Sequence, residues 1–238
     1  MLLINKQKKI IFEISAKSNC TVITKMFFNY IGQLERALKF SSWIHNYRIK
    51  YSRRQSLPLK KEEKDYIKIK FIRNPYNRAV SSYLHVMKSH LHTLWGLTKN
   101  LSFNDFLDIY HKIKNKRGSD HITPQTLDKQ NLNINYFDEI VHVEDLESEI
   151  NRINKKYNLN LNCNYDSHHW TCKNISEKKQ YFVGNLSYNE ISKLIKNNEL
   201  PDYDYFYNDE IRQKVNEIYK NDINLYFNSK NVNQKKKD

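Results

Sequence analysis

The sequence predicts an α/β layered domain with a central, mainly parallel sheet flanked by helices. Three observations lead there. Residues 9–14, 67–72 and 137–143 are short, largely apolar runs of strand length, the signature of buried parallel strands. Longer stretches with apolar residues at helical spacing lie between and after them, so strands alternate with helices. A chain of 238 residues, 39% of them hydrophobic, can also close one sizeable core. Residues 1–227 therefore read as a single domain, and the lysine-rich tail 228–238 is expected to be disordered.

In chain order, Lys9 to Ile14 (KIIFEI) forms the first expected strand. A polar loop of small residues, Ser15 to Cys20, follows it. Thr21 has N-cap chemistry for a helix whose apolar positions include Val22, Ile23, Met26, Phe27 and Ile31. Strand, small-residue loop with one lysine, then helix is the layout of a phosphate cradle, in which backbone amides face the anion. The same text also suits an ordinary strand-to-helix connection. The loop lacks the glycines of a Walker motif, so Asn19 is expected to take any left-handed position. Helix-like text continues through Leu34, Ala37, Leu38, Trp43 and Ile44. A basic span from Arg48 to Lys64 follows, either a solvated connector or a guide for an acidic acceptor.

Ile67 to Tyr83 reads IKIKFIRNPYNRAVSSY. The strand breaks at Arg73-Asn74-Pro75, because proline lacks an amide hydrogen and biases its predecessor toward extended geometry. Pro75 suits the first position of a helix. Beyond it Ala79, Val80, Tyr83, Leu84 and Met87 share one face. Arg73, Arg78 and Ser81 thus gather where a strand ends and a helix begins, an arrangement suited to an oxyanion.

The next loop, 89–101, carries His90 and His92. Ser102 with Asp105 predicts a capping box opening a helix through Phe103, Phe106, Leu107 and Tyr110. A polar loop, 115–133, holds Asp120, His121, Pro124 and Gln125. The strand at Phe137 to Val143 leads into Glu144 and Asp145, acids placed to start a helix through Leu146, Ile150 and Ile153. Residues 158–180 are irregular and contain His168, His169 and Trp170. Ser187 with Glu190 predicts a second capping box, and residues 208–227 one last long helix.

Forty lysines and arginines against 26 acids give a net charge of +14, which points to an anionic partner without choosing one. No apolar run is long enough to span a bilayer, and charges interrupt the N-terminal apolar residues, so the expectation is a soluble, reduced, cytoplasmic protein. Cys20, Cys163 and Cys172 lack the paired spacing of a zinc site or a disulfide framework. His85, His90 and His92 have no acidic or cysteine partner at ligand spacing, so no metal is expected.

Three segments together resemble the carbohydrate sulfotransferase family, which uses 3′-phosphoadenosine 5′-phosphosulfate (PAPS). KSNCT at Lys17–Thr21 is similar to the family's 5′-phosphosulfate loop, PK-x-x-CT, with Ala16 in place of the proline. FIRNPYNRAVSSY keeps every fixed position of its 3′-phosphate motif, R-x-P-x-x-R-x-x-S-x-Y. SDHITPQT at Ser119–Thr126 resembles its D-x-HW-x-PQ segment, with Ile122 in place of the tryptophan. The resemblance implies a three-layer, P-loop-like sulfotransferase fold and direct in-line transfer of a sulfuryl group from PAPS to a hydroxyl of a carbohydrate acceptor, without metal. It assigns the 5′-phosphosulfate to Lys17, Ser18, Asn19, Cys20 and Thr21, and the 3′-phosphate to Arg73 and Ser81. Lys17 is then catalytic as well, with Cys20 a packed small residue and Arg78 open between phosphate contact and helix brace. His121 is the first choice of base and His85 the second, with Asp120 and Glu144 as fallback carboxylates.

Two other readings stand beside this one. A nucleotide kinase-like protein is disfavoured because the loop lacks Gly-Lys-Ser/Thr and no acidic magnesium site is evident. A basic nucleic-acid-binding protein would fit the charge, but no recognition module is visible, and no specific nucleic acid is expected.

Overall fold

The computed structural model describes residues 1–53, 63–126, 134–165 and 180–234. Much of the basic span (54–62) and the run His168-His169-Trp170 lie outside them. The elements, in order, are β1 (Leu2–Asn5), β2 (Ile10–Ile14), α1 (Cys20–Tyr30), α2 (Leu34–Phe40), α3 (Ile44–Ser52), β3 (Ile67–Ile72), α4 (Pro75–Lys88) and α5 (Leu91–Leu94). There follow α6 (Phe103–Asp108), α7 (Tyr110–Ile113), β4 (Glu139–His142), α8 (Leu146–Tyr157), α9 (Tyr188–Lys196), α10 (Asp209–Ile218) and α11 (Lys220–Gln234). Two compact units emerge, one within Met1–Arg73, Leu127–His169 and Ser229–Asp238, the other within Asn74–Thr126 and Trp170–Asn228.

The first unit is built on a four-stranded sheet in the order β1-β2-β3-β4. β2, β3 and β4 are parallel, as expected from their apolar text, while β1 is an antiparallel edge strand that the sequence reading did not anticipate. Only Leu2 to Asn5 form it, and the lysines that follow belong to the turn, where Lys9 adopts a left-handed φ of 48°. Register pairs Ile14 with Phe71 and Ile72 with His142, so the three parallel strands end together. The loops leaving them emerge along one edge, where α/β sheets place ligands.

Alternation decides the two faces of β2. Ile10, Phe12 and Ile14 turn toward a helical layer and pack with Phe27, Phe28, Phe71 and Val141. Phe12 meets Phe27 at 5.3 Å and Phe71 at 5.0 Å between ring centroids, both edge to face. Ile11 and Glu13 turn the other way, opposite Lys68 and Lys70 in the parallel register. There Lys70 Nζ meets Glu13 Oε2 at 2.6 Å, with both side chains buried.

α8 covers β4 and carries the partners of buried Glu139. Lys156 Nζ and the Tyr157 hydroxyl donate to Glu139 Oε1 at 2.6 and 2.8 Å, and Arg152 Nη2 donates to Oε2 at 2.8 Å. Burial pushes the carboxyl's pKa up, but the hydrogen bonds from Lys156, Arg152 and Tyr157 outweigh it and leave the pKa below its ordinary 4.5. A depressed carboxylate pKa stabilises the fold above its unfolded value, and that contribution disappears as pH falls through the folded value. Glu139→Gln should therefore lower stability at neutral pH and flatten the acid side of the stability profile below 4.5, read from urea midpoints across pH.

The second unit is helical, with a core containing Tyr83, Phe103, Phe206, Ile211 and Val215. Both expected capping boxes form. Ser102 Oγ accepts from the Asp105 amide at 3.1 Å while Asp105 accepts from the Ser102 amide at 2.9 Å, and Ser187 with Glu190 repeats the exchange. Asn74 caps α4, its Oδ1 accepting from the Tyr76 amide at 3.0 Å.

Three boundaries differ from expectation. The long helix predicted for residues 208–227 breaks at Tyr219 (φ −113°, ψ 26°), whose buried ring turns inward and whose hydroxyl donates to the Ile122 carbonyl at 2.9 Å. Its second part, α11, runs past Phe227 through Gln234, into the segment expected to be disordered. Glu144 and Asp145 lie in a 3₁₀ turn, and α8 itself begins at Leu146.

Candidate functional site

In the first unit, Ser15 to Asn19 leave β2 and enter α1. Asn19 takes the left-handed conformation (φ 54°, ψ 32°) predicted for it, and Lys17 takes another (φ 66°). This local twist lets the chain enter a helix with no glycine in the loop. Asn19, not Thr21, is the N-cap, and its side chain makes no capping bond. No acidic residue occupies the first turn of α1, so the helix places no carboxylate of its own at its positive end. Ser18, within the loop, is fully buried.

Arg73 stands where β3 ends, one strand over. Its Nη1 donates to the Lys17 carbonyl at 3.0 Å, so the guanidinium and the loop meet directly. A lysine in the loop, an arginine bonded to it and a helix start with no acidic residue of its own make an arrangement whose chemistry suits an anion.

Two buried histidines of this unit escaped the sequence reading. His45, on α3 and buried, shares a hydrogen bond with Thr21, its Nε2 lying 3.1 Å from Oγ1, and sits 3.9 Å from Cys20 Sγ. Nothing local marks such a contact, which joins residues 24 apart. His142, buried at the end of β4 in register with Ile72, lies 2.9 Å from Ser229 Oγ through its Nε2. It was hidden inside an apolar run. The Asn74 cap, by contrast, had a signal: an asparagine directly before a proline that opens a helix.

In the second unit the structure brings together both candidate bases. The rings of His85, on α4, and His121 have centroids 4.2 Å apart at an interplanar angle of 45°. Successive carbonyls of the segment that carries His121 are each held by a side chain. Ser82 Oγ donates to His121 O at 2.6 Å, Tyr219 to Ile122 O at 2.9 Å, and Arg78 Nη2 to Thr123 O at 2.6 Å. Asp222, buried at the start of α11, accepts from the Gln125 and Thr126 amides at 2.7 and 2.9 Å. The main chain around His121 is thereby pinned from four sides.

Arg78 is almost fully buried, bonded to the Thr123 carbonyl and placed 6.0 Å from the Tyr219 ring centroid, contacts that brace the loop. Arg78→Met should cost roughly 1.5–3 kcal/mol, the worth of a hydrogen bond from a charged donor, measured by denaturant unfolding. Ser81, on the same helix, is buried, and Asp120 lies in the 3₁₀ turn Ser119–His121.

Comparison with known proteins comes down to one finding. A family model described as "Sulfotransferase family" matches residues 1–228. Neither the curated proteins nor the solved structures contain a significant match to the chain.

Proposed function

Because the chain belongs to the sulfotransferase family, we propose that it transfers a sulfuryl group from PAPS to a hydroxyl of a carbohydrate acceptor. The observation that carries this reading is the meeting of Arg73 with the left-handed Lys17 loop at the acid-free start of α1. The donor supplies an activated sulfuryl group whose departure leaves negative charge on a bridging phosphate oxygen. Lys17 and the amides of Ser18, Asn19, Cys20 and Thr21 hold the phosphosulfate end, and Lys17 stabilises the charge as it grows. Thr21 adds a hydroxyl whose direction His45 fixes. Arg73 binds the 3′-phosphate as a charge-assisted donor, and Ser81 is assigned to the same group by the motif.

The acceptor hydroxyl must lose its proton as the new S–O bond forms. An imidazole suits that at neutral pH, and His121 takes the role with the tilted ring of His85 beside it. Pinning of the surrounding main chain keeps His121 from drifting between turnovers, as a general base requires.

The deciding measurement is titration calorimetry with the desulfated product, 3′-phosphoadenosine 5′-phosphate (PAP). The wild-type chain should bind it, and Arg73→Ala should weaken binding by roughly 10- to 100-fold. Absent binding, or binding that Arg73→Ala leaves unchanged, would refute the assignment. Radiolabelled PAPS offered with a panel of glycans then identifies the acceptor.

A further inference from the structure

Within the first unit, α2 and α3 form a helical pair with an unusual surface. Leu38 is 42% exposed, Phe40 48%, Trp43 59% and Ile49 37%. Half of the large, exposed apolar side chains of the described residues thus fall in this short span. Isolated exposed apolar residues are commonplace, whereas apolar side chains gathered in one place mark a contact surface, and Phe40 and Ile49 share one groove. Residues 34–53 also hold five cations, Arg36, Lys39, Arg48, Lys50 and Arg53, against Glu35 alone. The two kinds of side chain interleave: Lys50 Nζ lies 4.4 Å from the Phe40 ring centroid, and Phe40, Ile49, Lys50 and Arg53 line one shallow groove of about 720 Å³.

We infer that the α2–α3 surface docks onto an anionic lipid bilayer. The pattern is that of an interfacial anchor, in which an indole and a phenyl ring enter the headgroup region while lysines and arginines meet lipid phosphates. A saccharide fits less well. Leu38 and Ile49 are aliphatic and gain little against a hydroxylated ligand. The groove's own polar groups are also turned on one another: Ser41 Oγ accepts from both Asn46 Nδ2 and the Trp43 amide, each at 3.1 Å. None of these side chains belongs to the donor cradle, so the surface can serve as an anchor whether or not the assigned chemistry holds.

The test is cosedimentation of the full chain with large vesicles of phosphatidylcholine, with and without phosphatidylglycerol, at physiological salt. The wild type should sediment with the mixed vesicles alone, and its tryptophan emission should shift to the blue. Trp43→Phe should keep the binding and lose the shift. The double variant F40S/W43S should bind at least about tenfold more weakly, and K50E/R53E should lose the dependence on phosphatidylglycerol. Thermal melting of each variant confirms folding, which these exposed positions do not threaten. The inference fails if the wild type stays in the supernatant. It fails equally if F40S/W43S binds as well as the wild type, for then net charge alone is responsible. An emission shift with a soluble acidic polysaccharide but none with vesicles would reassign the surface to glycan and overturn it as well.

Discussion

Replacing Lys17 with methionine should slow sulfuryl transfer by roughly 10²- to 10³-fold while changing PAP affinity by no more than a few-fold. The split follows from when each interaction is made. Charge on the bridging oxygen is largest in the transition state, so a cation aimed there stabilises that state more than the bound donor. Methionine keeps the unbranched side chain, and its backbone suits the loop no worse than that of lysine. The left-handed turn and the carbonyl that accepts from Arg73 are therefore kept. Single-turnover release of PAP, compared with calorimetric PAP binding, separates the two effects. A variant whose rate and affinity fell together would demote Lys17 to an ordinary binding residue.

The second large effect is on stability. Lys70→Met should destabilise the chain by roughly 3–5 kcal/mol, because it leaves the carboxylate of Glu13 buried without the cation it faces at 2.6 Å. The Met1 ammonium, at 3.1 Å from the other carboxylate oxygen, offers only partial compensation from a more exposed position. The double variant Glu13→Leu with Lys70→Met should recover much of the loss, since an apolar pair avoids the burial of either charge. Urea unfolding of the two single variants and the double closes the cycle. If Lys70→Met alone were neutral, the pair would owe its place to something other than the cost of a bare buried charge. The pair also bears on the site, because it joins β2 to β3 just before those strands release the Lys17 loop and Arg73.

Features with a local physical cause could be read in the sequence. The capping boxes at Ser102 and Ser187 depend on residues three apart, and both form. The ends of β3 and the start of α4 depend on Pro75, and both fall where it dictates. Asn19 goes left-handed because the loop must turn and no glycine is present to do it. Features with a distant cause could not be read. Tyr219 breaks the last helix because its hydroxyl reaches the carbonyl of Ile122, 97 residues away. His45 meets Thr21, and Asp222 receives the amides of the His121 loop, through contacts that no spacing encodes. β1 was hidden by the lysines that follow it, since a strand of four residues leaves too little text to show alternation. For the candidate site this means that the turns carrying Lys17, Asn19 and Arg73 were legible, whereas the distant side chains that steady the neighbouring segments were not.

The bond from Arg73 ends on a main-chain oxygen, which every amino acid possesses. Position 17 can therefore take another unbranched side chain, within the limits of its left-handed backbone, without removing the oxygen that ties the loop to the end of β3. That makes it the natural place to slow the chemical step while leaving binding intact. On the proposed reading, such a form, immobilised and supplied with donor, would bind glycans without consuming them, so that those it enriches could be identified by mass.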